Sequence, residues 1–311
     1  MKILVTGGAG FIGSHVVDEY IRLGHKVIVV DNLITGNKKN LNSKAKFYKV
    51  DIRDKNLLTK IFSSEKIDVV NHHAAQLDVR KSVADPQFDA SVNIIGSLNL
   101  LELSVKFGVK KFIFSSSGGT IYGECTSPKP PKENSPYKPE SPYGCAKLSV
   151  EYYMGYYNKV YGLKVAVLRY ANVYGPRQDP FGEAGVVAIF ANRMLKGEDV
   201  YIFGDGEQMR DFVFVKDVVR ANILVTRKNF GNLVLNIGTG KLTSVNKLFS
   251  EMKKIIGYQK DAIYKPSRKG ELFRSYLDVS YAKKFIGWEP KTEFNCGLKE
   301  TIEYFLHNLR K

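Results

Sequence analysis

The sequence predicts an α/β protein with a doubly wound parallel sheet, followed by a smaller C-terminal α/β domain. Short β-branched runs alternate with helix-length stretches whose apolar residues recur about every 3.6 positions, and a glycine-rich turn joins the first run to the first such stretch. After Gly175 the alternation weakens. The chain has 311 residues, 44% of them hydrophobic, and is long enough to bury a core in each of two domains.

The β-branched runs are predicted to be buried parallel strands, because strands covered on both faces are apolar throughout. They are Lys2–Thr6, Lys26–Val30, Ile67–Asn71, Phe112–Phe114 and Val165–Leu168, with a further strand ending at Val50. The predicted helices between them include Phe11–Leu23, Phe88–Phe107 and Leu148–Tyr161. The Pro-rich segment 127–139 predicts a surface loop, because proline fits neither a helix interior nor a central strand.

Composition excludes several classes of partner. Lys and Arg number 47 against 31 Asp and Glu, for a net charge of +16, but they are scattered, so a solvated basic surface is favoured over a nucleic-acid-binding stripe. No apolar run approaches the roughly 18 residues of a membrane helix. The first residues break into Thr6-Gly7-Gly8 too early for a signal peptide, so we expect a cytoplasmic protein. Cys125, Cys145 and Cys296 are far apart, so we expect reduced thiols and no metal site.

The turn after the first strand has the sequence Thr6-Gly7-Gly8-Ala9-Gly10-Phe11-Ile12-Gly13. Glycines at this spacing between a strand and a helix allow a tight turn and bring the backbone close to a pyrophosphate at the helix N-terminus. We therefore expect a dinucleotide to bind against Gly7, Gly10, Phe11, Ile12 and Gly13.

A carboxylate at the end of the second strand completes the dinucleotide pattern. Asp31 can accept hydrogen bonds from the ribose hydroxyls of adenosine and would repel a 2′-phosphate. The next residue is Asn32, so the chain offers no arginine here to bind the 2′-phosphate of NADP. The predicted cofactor is therefore NAD. Asp51 and Ile52, after the third strand, are candidates for contact with adenine, although an Asp in this position is equally often a helix cap.

The pattern divides the chain into two expected domains. Residues 1–175 would form a NAD-binding Rossmann domain, and residues 176–311 would bind the substrate. The stretch 212–245 is a candidate to return to the first domain.

A second chemically informative stretch is Ser141-Pro142-Tyr143-Gly144-Cys145-Ala146-Lys147. Ser141 suits a helix N-cap and Pro142 the first helical position, so Tyr143 and Lys147 should share one face, one turn apart. An ammonium about 4 Å from a phenol, at an effective dielectric constant of about 20, interacts by about 4 kcal/mol. We expect this to lower the pKa of Tyr143 toward neutrality and to make it a general base.

Together these motifs resemble the extended short-chain dehydrogenase/reductase family over nearly the whole chain. The resemblance also rests on His72-His73-Ala74-Ala75, Asn93, Ser115-Ser116-Ser117 and Arg169-Tyr170-Ala171-Asn172-Val173-Tyr174-Gly175-Pro176. Within that family the chain is most similar to the UDP-glucose 4-epimerases, of the NAD-dependent epimerase/dehydratase type. This implies inversion at C4 of a UDP-hexose through a transient 4-keto sugar.

The resemblance also implies residue roles around the reacting carbon. Ser117, Tyr143 and Lys147 would be catalytic, and Asn93, Tyr143, Lys147 and Tyr170 would join the glycine turn in holding NAD. The loop after Ser117 is one residue longer than its commonest form, which leaves Ser116 and Thr120 as alternatives. It carries no carboxylate, whereas similar dehydratases and decarboxylases place one there for their additional acid-base steps, so epimerisation is favoured over those reactions.

For the substrate, the resemblance implies contacts from the C-terminal part of the chain: Asn172, Val187, Phe203, Arg210, Arg268, Glu271 and Ser275. Arginines suit a diphosphate, a phenyl ring suits uracil and a carboxylate suits ribose, although Glu271 stands where Asp is usual. Arg210 could instead pair with Asp211, and Phe203 could be core. A small residue at Ser275 implies room for an N-acetyl group on the sugar, unless the register places Tyr276 there.

The helix that begins with the Tyr143 motif also carries Tyr152, Tyr153, Tyr156, Tyr157 and Tyr161, which cover more than one face. Related epimerases pair through this helix, so we expect a homodimer; coverage of the rings by the chain's own loops is the alternative. A non-catalytic NAD-binding scaffold or sensor protein would have no need of Ser117, Tyr143 and Lys147 together, which favours an enzyme.

Overall fold

The computed structural model describes residues 1–181, 185–268 and 270–309. Its strands are β1 (Lys2–Thr6), β2 (Lys26–Asp31), β3 (Lys46–Lys49), β4 (Val69–His72), β5 (Lys111–Ser117), β6 (Lys164–Tyr170), β7 (Asn172–Tyr174), β8 (Tyr201–Phe203), β9 (Met209–Arg210), β10 (Phe212–Phe214), β11 (Asn232–Ile237), β12 (Thr243–Ser244), β13 (Ile263–Lys265) and β14 (Arg274–Ser275).

The helices are α1 (Phe11–Arg22), α2 (Lys55–Glu65), α3 (Val79–Ala84), α4 (Pro86–Ala90), α5 (Gly96–Lys106), α6 (Gly118–Ile121), α7 (Pro142–Tyr161), α8 (Val186–Leu195), α9 (Val215–Arg227), α10 (Val245–Ile256), α11 (Ser280–Ile286) and α12 (Phe294–Leu309). A π-helical turn, Ser91–Ile95, joins α4 to α5, and Lys38–Asn40 forms a 3₁₀ turn. Within the described ranges, none of the helices has the length and apolar character needed to cross a bilayer.

Seven parallel strands form the central sheet in the order β11-β6-β5-β4-β1-β2-β3. Leu4 of β1 lies opposite Ile28 of β2 on one side and Val70 of β4 on the other. The sheet therefore winds outward in both directions from β1, which opens a crevice at the carboxyl ends of β1 and β4. One apolar core packs α1, α9 and α11 against one face, and a second packs α2, α5 and α7 against the other. The predicted doubly wound α/β fold is confirmed.

Several element boundaries differ from the prediction. The segment predicted as one helix, Phe88–Phe107, is α4, the π turn and α5 in succession, whereas α7 joins the predicted helix start at Pro142 and the predicted helix Leu148–Tyr161 in one element. β4 begins two residues later than predicted, at Val69, although the preceding Asp68 already donates its N–H to the carbonyl of Lys2.

The C-terminal half contributes to both parts of the molecule. β11 pairs with β6 at one edge of the central sheet, with Leu235 opposite Leu168, and α9 packs beside α1. We therefore propose that residues 212–245 belong with the first domain, and that the remainder after residue 175 forms the substrate domain. A third core, which includes Phe190, Leu248 and Leu298, joins α8, α10 and α12.

The Pro-rich segment forms no regular structure, as predicted, but it is tied to the protein interior by Arg169. This side chain is 1% exposed and pairs with Glu151 of α7 at 2.5 Å. It also donates to the hydroxyls of Tyr122 and Tyr137, at 2.6 and 3.0 Å, and to the carbonyl of Glu133 at 3.0 Å. All its donors are thereby satisfied, and the segment is fixed beside the carboxyl ends of β5 and β6.

Candidate active site

The glycine turn has the geometry that its sequence predicts. Gly7 adopts a left-handed φ of 68°, and a Cβ there would lie 2.6 Å from the backbone nitrogen of Ala74. A Cβ on Gly13 would lie 2.2 Å from the carbonyl oxygen of Gly7. Gly10 is the N-cap of α1 and supplies no side-chain acceptor, so N–H groups of the first turn remain for an anionic ligand. The turn is suited to a pyrophosphate.

The carboxylate of Asp31 is held at the end of β2 by two backbone N–H groups, from Ala9 at 3.0 Å and from Leu33 at 2.8 Å. Each oxygen keeps a lone pair for a ribose hydroxyl. Beside it, Asn32 donates to Asp51, and Arg53 hydrogen-bonds that carboxylate and lowers the pKa of Asp51 to about 2. This end of the crevice suits the adenosine of a dinucleotide.

One cavity of about 1780 Å³ runs from the glycine turn to β14. Pockets for single ligands commonly have about 300–1,000 Å³, so this one has room for a dinucleotide and a second ligand together. The predicted residues that line it are Gly7, Gly10, Phe11, Ile12, Gly13, Asp31, Asn32, Asp51, Ile52, Ser117, Tyr143, Lys147, Tyr170, Asn172, Arg210 and Ser275. Those that do not are Asn93, Val187, Phe203, Arg268 and Glu271.

Tyr143 and Lys147 occupy the first two turns of α7. Ser141 caps the helix by accepting from the N–H of Gly144 at 3.1 Å, with Pro142 in the first turn, as predicted. The ammonium of Lys147 donates to the carbonyl of Ser115 at 2.9 Å and lies 5.6 Å from the centre of the Tyr143 ring. The pair therefore faces the cavity from one side of a single helix.

The expected lowering of the Tyr143 pKa is wrong for this chain alone. Burial, reinforced by the carboxylate of Asp89, raises the pKa of Tyr143 above its ordinary value. Burial also lowers the pKa of Lys147 to about 8, although Asp89 and Glu151 oppose this. The sequence argument counted the attraction between the ammonium and the phenolate but not the cost of withdrawing both charged groups from water, and the structure buries both. A bound cation beside the phenol would be needed to lower its pKa.

The structure distinguishes the three hydroxyls proposed for the loop after β5. Ser116 and Thr120 also line the cavity, but the Ser116 hydroxyl donates to Glu151 at 2.5 Å, and that of Thr120 makes a long contact of 3.4 Å to the carbonyl of Ser117. Within the described part of the chain, the Ser117 hydroxyl has no hydrogen-bond partner, and the residue lines the cavity. Ser117 is the hydroxyl best placed to contact a ligand.

Ser275 enters the cavity from the opposite side. It pairs with Arg210 of β9 in a short parallel ladder, and its hydroxyl would lie 3.2 Å from a Cβ on Gly119 of the loop after β5. Tyr276, the alternative register, instead donates its hydroxyl to the carbonyl of Pro128 at 2.6 Å and does not line the cavity. The small side chain faces the cavity, and the ring does not.

The charged residues near Ser275 are arranged differently from the prediction. Arg210 lies 3.4 Å from Glu271, while Asp211 is occupied by Thr239 and Gly240, so the alternative pairing of Arg210 with Asp211 is wrong. Burial lowers the pKa of Arg210, which increases its demand for an anionic partner.

Two other predicted substrate residues have side chains outside the cavity. The guanidinium of Arg268 stacks on Phe203, 3.7 Å from the ring centre, so it must swing away before uracil can use that face. Val187 is 1% exposed within the core of the C-terminal part, so it could meet a ligand only through its backbone. Asn172 lines the cavity at the start of β7.

Two predicted cofactor residues have side chains that are already occupied. The amide of Asn93 bonds both the N–H and the carbonyl of Gln76, at 3.0 and 2.9 Å. Tyr170 lines the cavity, and its hydroxyl accepts from Asn222 of α9 at 2.8 Å. Neither partner is close in sequence, so spacing alone could not reveal these bonds.

Sequence reasoning missed two cavity residues with unsatisfied polar atoms. Both ring nitrogens of His73 are buried without a partner among the described residues, and burial lowers its pKa to about 3, so the ring is neutral. Gln178 has an unpartnered side-chain oxygen. His73 belongs to the motif His72-His73-Ala74-Ala75, which carried no predicted role. Gln178 follows Gly175-Pro176 by two positions, and its closeness to that motif could have indicated a cavity residue.

Fold and cavity together define a class: a dinucleotide-dependent enzyme of the short-chain dehydrogenase/reductase type. The model of the NAD dependent epimerase/dehydratase family matches residues 3–238. The chain belongs to that family.

Individual relatives are similar to this chain over nearly the full length of both chains. The crystal structure of UDP-glucose 4-epimerase with UDP-glucose from Thermotoga maritima is 58% identical, with a TM-score of 0.97, covering 99% of this chain and 100% of that one. The Thermus thermophilus UDP-glucose 4-epimerase in complex with NAD is 42% identical, with a TM-score of 0.94, over 98% and 99%. The UDP-glucose 4-epimerase of Mycolicibacterium smegmatis is 43% identical over 311 residues, 98% of each chain.

Proposed function

We propose that the protein is a NAD-dependent epimerase that interconverts UDP-glucose and UDP-galactose by inversion at C4. The observation that carries the proposal is the single cavity, in which Ser117, Tyr143 and Lys147 lie between the glycine turn and Ser275. The similarity to UDP-glucose 4-epimerases over whole chains supports it. The Ser117–Thr120 loop contains no carboxylate, which favours epimerisation over dehydration or decarboxylation.

The residues divide the work as follows. Gly7, Gly10, Phe11, Ile12 and Gly13 bind the pyrophosphate of NAD, and Asp31 accepts from its adenosine ribose. Bound NAD supplies the hydride acceptor for the sugar's C4 and the hydride that returns to it, and its positive charge favours ionisation of a nearby phenol. Arg210 grips the diphosphate of the sugar nucleotide.

Proton movement belongs to Tyr143 and Ser117. The Tyr143 oxygen accepts the proton of the sugar's O4, either directly or through the Ser117 hydroxyl, and returns it when C4 is reduced from its other face. The ammonium of Lys147, oriented by the Ser115 carbonyl, stabilises the phenolate. Arg210, which lines the same cavity as the glycine turn, can retain the nucleotide while the keto sugar turns over.

Two finer proposals concern substrate breadth and assembly. Ser275 leaves room at the sugar's C2, which supports activity on UDP-GlcNAc and UDP-GalNAc as well.

The rings of Tyr152, Tyr153 and Tyr156 are exposed on α7, whereas Tyr157 is buried within the chain. Phe88 and Ile95, on the elements packed beside α7, are exposed too. This apolar surface supports a homodimer formed through α7.

The direct test incubates the purified protein with UDP-glucose and NAD and follows UDP-galactose by NMR. We expect conversion to a mixture of the two sugars, and a Tyr143→Phe variant that keeps its NAD affinity but turns over about 10²-fold more slowly. Failure of the wild type to convert UDP-glucose would contradict the proposal. A Tyr143→Phe variant with normal turnover would remove only Tyr143 from the mechanism.

A further inference from the structure

A buried carboxylate that the mechanism above does not use lies close to the proton-transfer pair. Asp89, in α4, is 1% exposed, and its Oδ1 accepts from the side chains of Gln76 and Asn93, both at 2.9 Å. Its Oδ2 is also buried and has no partner among the described residues. A buried carboxylate with one unsatisfied oxygen costs stability, so a contribution elsewhere must account for it.

Asp89 and Asn93 together clamp Gln76, which lines the cavity. The backbone of Gln76 is bonded on both sides by the amide of Asn93. The side chain of Gln76 donates to the carbonyl of Asp78 at 2.9 Å and accepts from its N–H at 2.7 Å. The cavity wall between β4 and α3 is thus fixed to the Asp89 carboxylate.

The same connection continues to the backbone of Tyr143. Asp78 is the N-cap of α3, where its side chain accepts from the N–H of Lys81 at 3.0 Å. Ser82 of α3, fully buried, accepts from the backbone N–H of Tyr143 at 3.2 Å. A continuous set of hydrogen bonds and one short helix therefore link Asp89 to the first turn of α7.

The negative charge of Asp89 also acts on the pair through space. It adds to burial in raising the pKa of Tyr143, and it opposes the lowering of the pKa of Lys147. The other charged or titratable groups on the elements packed around the phenol are Lys147, Glu151, His73, Asp78, Arg80 and Lys81. Among these, Lys147 and Asp89 carry opposite charges, and both are buried.

We propose that Asp89 is a positioning residue for proton transfer: through Gln76 and α3 it fixes the placement of Tyr143, and its carboxylate balances the charge of Lys147. The inference rests on the proposed epimerase function. It also explains why a carboxylate with an unsatisfied oxygen stays buried at this point, because a neutral side chain would supply the hydrogen-bond acceptor but not the charge.

The test is Asp89→Asn, which keeps an oxygen acceptor for Gln76 and Asn93 but removes the charge. We expect kcat to fall about 10-fold or more, with KM for UDP-glucose changed less than about twofold, because the group acts through Tyr143. Loss of a negative charge favours the phenolate and the neutral amine, so the whole pH profile of kcat should move to lower pH by about half a unit or more.

The matched control is Asp85→Asn, four residues earlier, where the exposed Asp85 caps α4 by accepting from Phe88. Asparagine caps equally well, so kcat and its pH profile should stay as in the wild type. An Asp89→Asn enzyme with wild-type kcat, or with an unshifted profile, would overturn the proposal. If Asp89→Asn does not fold, Ser82→Ala takes its place, because it removes the hydroxyl that accepts from the backbone N–H of Tyr143. A severalfold loss of kcat at constant KM then supports the proposal, and wild-type kcat overturns it.

A separate readout keeps this inference distinct from the proposed function. The ionisation of Tyr143 is measured as the ultraviolet difference between each enzyme and its Tyr143→Phe derivative. Asp89→Asn should lower the midpoint of that titration, and an unchanged midpoint would overturn the inference. A wild type inactive on every UDP-sugar would overturn the proposed function alone and leave this titration to decide.

Discussion

Replacing Arg169 by methionine removes the guanidinium that joins α7 to the Pro-rich segment and keeps much of the side-chain volume. The Glu151 carboxylate, 6% exposed, would then keep the Ser116 hydroxyl as its one partner within the described residues. Removing one member of a buried ion pair costs about 3–5 kcal/mol, because the other charge stays buried and uncompensated. With an unfolding entropy of about 2.1 cal/mol/K per residue, the 311-residue chain should lose about 5–8 °C in Tm.

Scanning calorimetry of three proteins tests this reasoning. Arg169→Met should show the full loss, and the double variant Arg169→Met/Glu151→Leu should recover at least half of it, because neither charge then remains buried. A single variant whose Tm falls by less than about 1 °C would refute the argument. So would a double variant as unstable as the single one, since the loss would then come from packing.

Four further predictions concern ligands, pH and assembly. Calorimetry should show NAD binding at least about 10-fold tighter than NADP, and Asp31→Ser should narrow that ratio, because the carboxylate would face a 2′-phosphate; equal affinities in the wild type would contradict it. The pKa of Lys147 is about 8, so its ammonium is lost as pH rises through that value and kcat/KM should fall. In Lys147→Arg the guanidinium stays charged, so the fall of kcat/KM at alkaline pH should begin about one pH unit or more higher than in the wild type, whatever the absolute rate. Ser275→Tyr should lower kcat/KM for UDP-GlcNAc at least about 50-fold more than for UDP-glucose, because the ring would clash with the N-acetyl group at a cost of a few kcal/mol. An unaltered preference between the two substrates would show that Ser275 does not shape the pocket. Sedimentation should give about twice the monomer mass of 35.0 kDa, and Tyr156→Glu should halve it; a monomeric wild type would rule out the dimer.

The parts of the fold and site that the sequence predicted are those determined by neighbours in the chain. The glycine turn, the start of α7 and the alternation of strands and helices depend on local conformation and periodicity, and the structure contains all of them. The prediction for Ser275 came from a family motif, and in the structure Ser275, not Tyr276, lines the cavity.

The contacts that the sequence did not predict depend on distant neighbours. Asn93 is occupied by Gln76, and Arg268 covers Phe203, because of contacts that form only once the chain has folded. The pKa of Tyr143 was expected to move in the wrong direction because depth of burial is a property of the whole molecule. The sequence predicted no role for Asp89, since a single Asp near a helix start is common and only the folded structure shows what surrounds it.

The order of strands has a consequence for how the protein can be made. Of the seven strands of this sheet, β1 is made before the others, yet it lies near the middle of the sheet, and β11, at one edge, is made only after residue 231. A nascent chain that has reached residue 175 therefore presents β6 as an unpaired, apolar edge, which is a template for aggregation. We expect a fragment cut at that point to precipitate, and a fragment that extends past β11 to stay in solution.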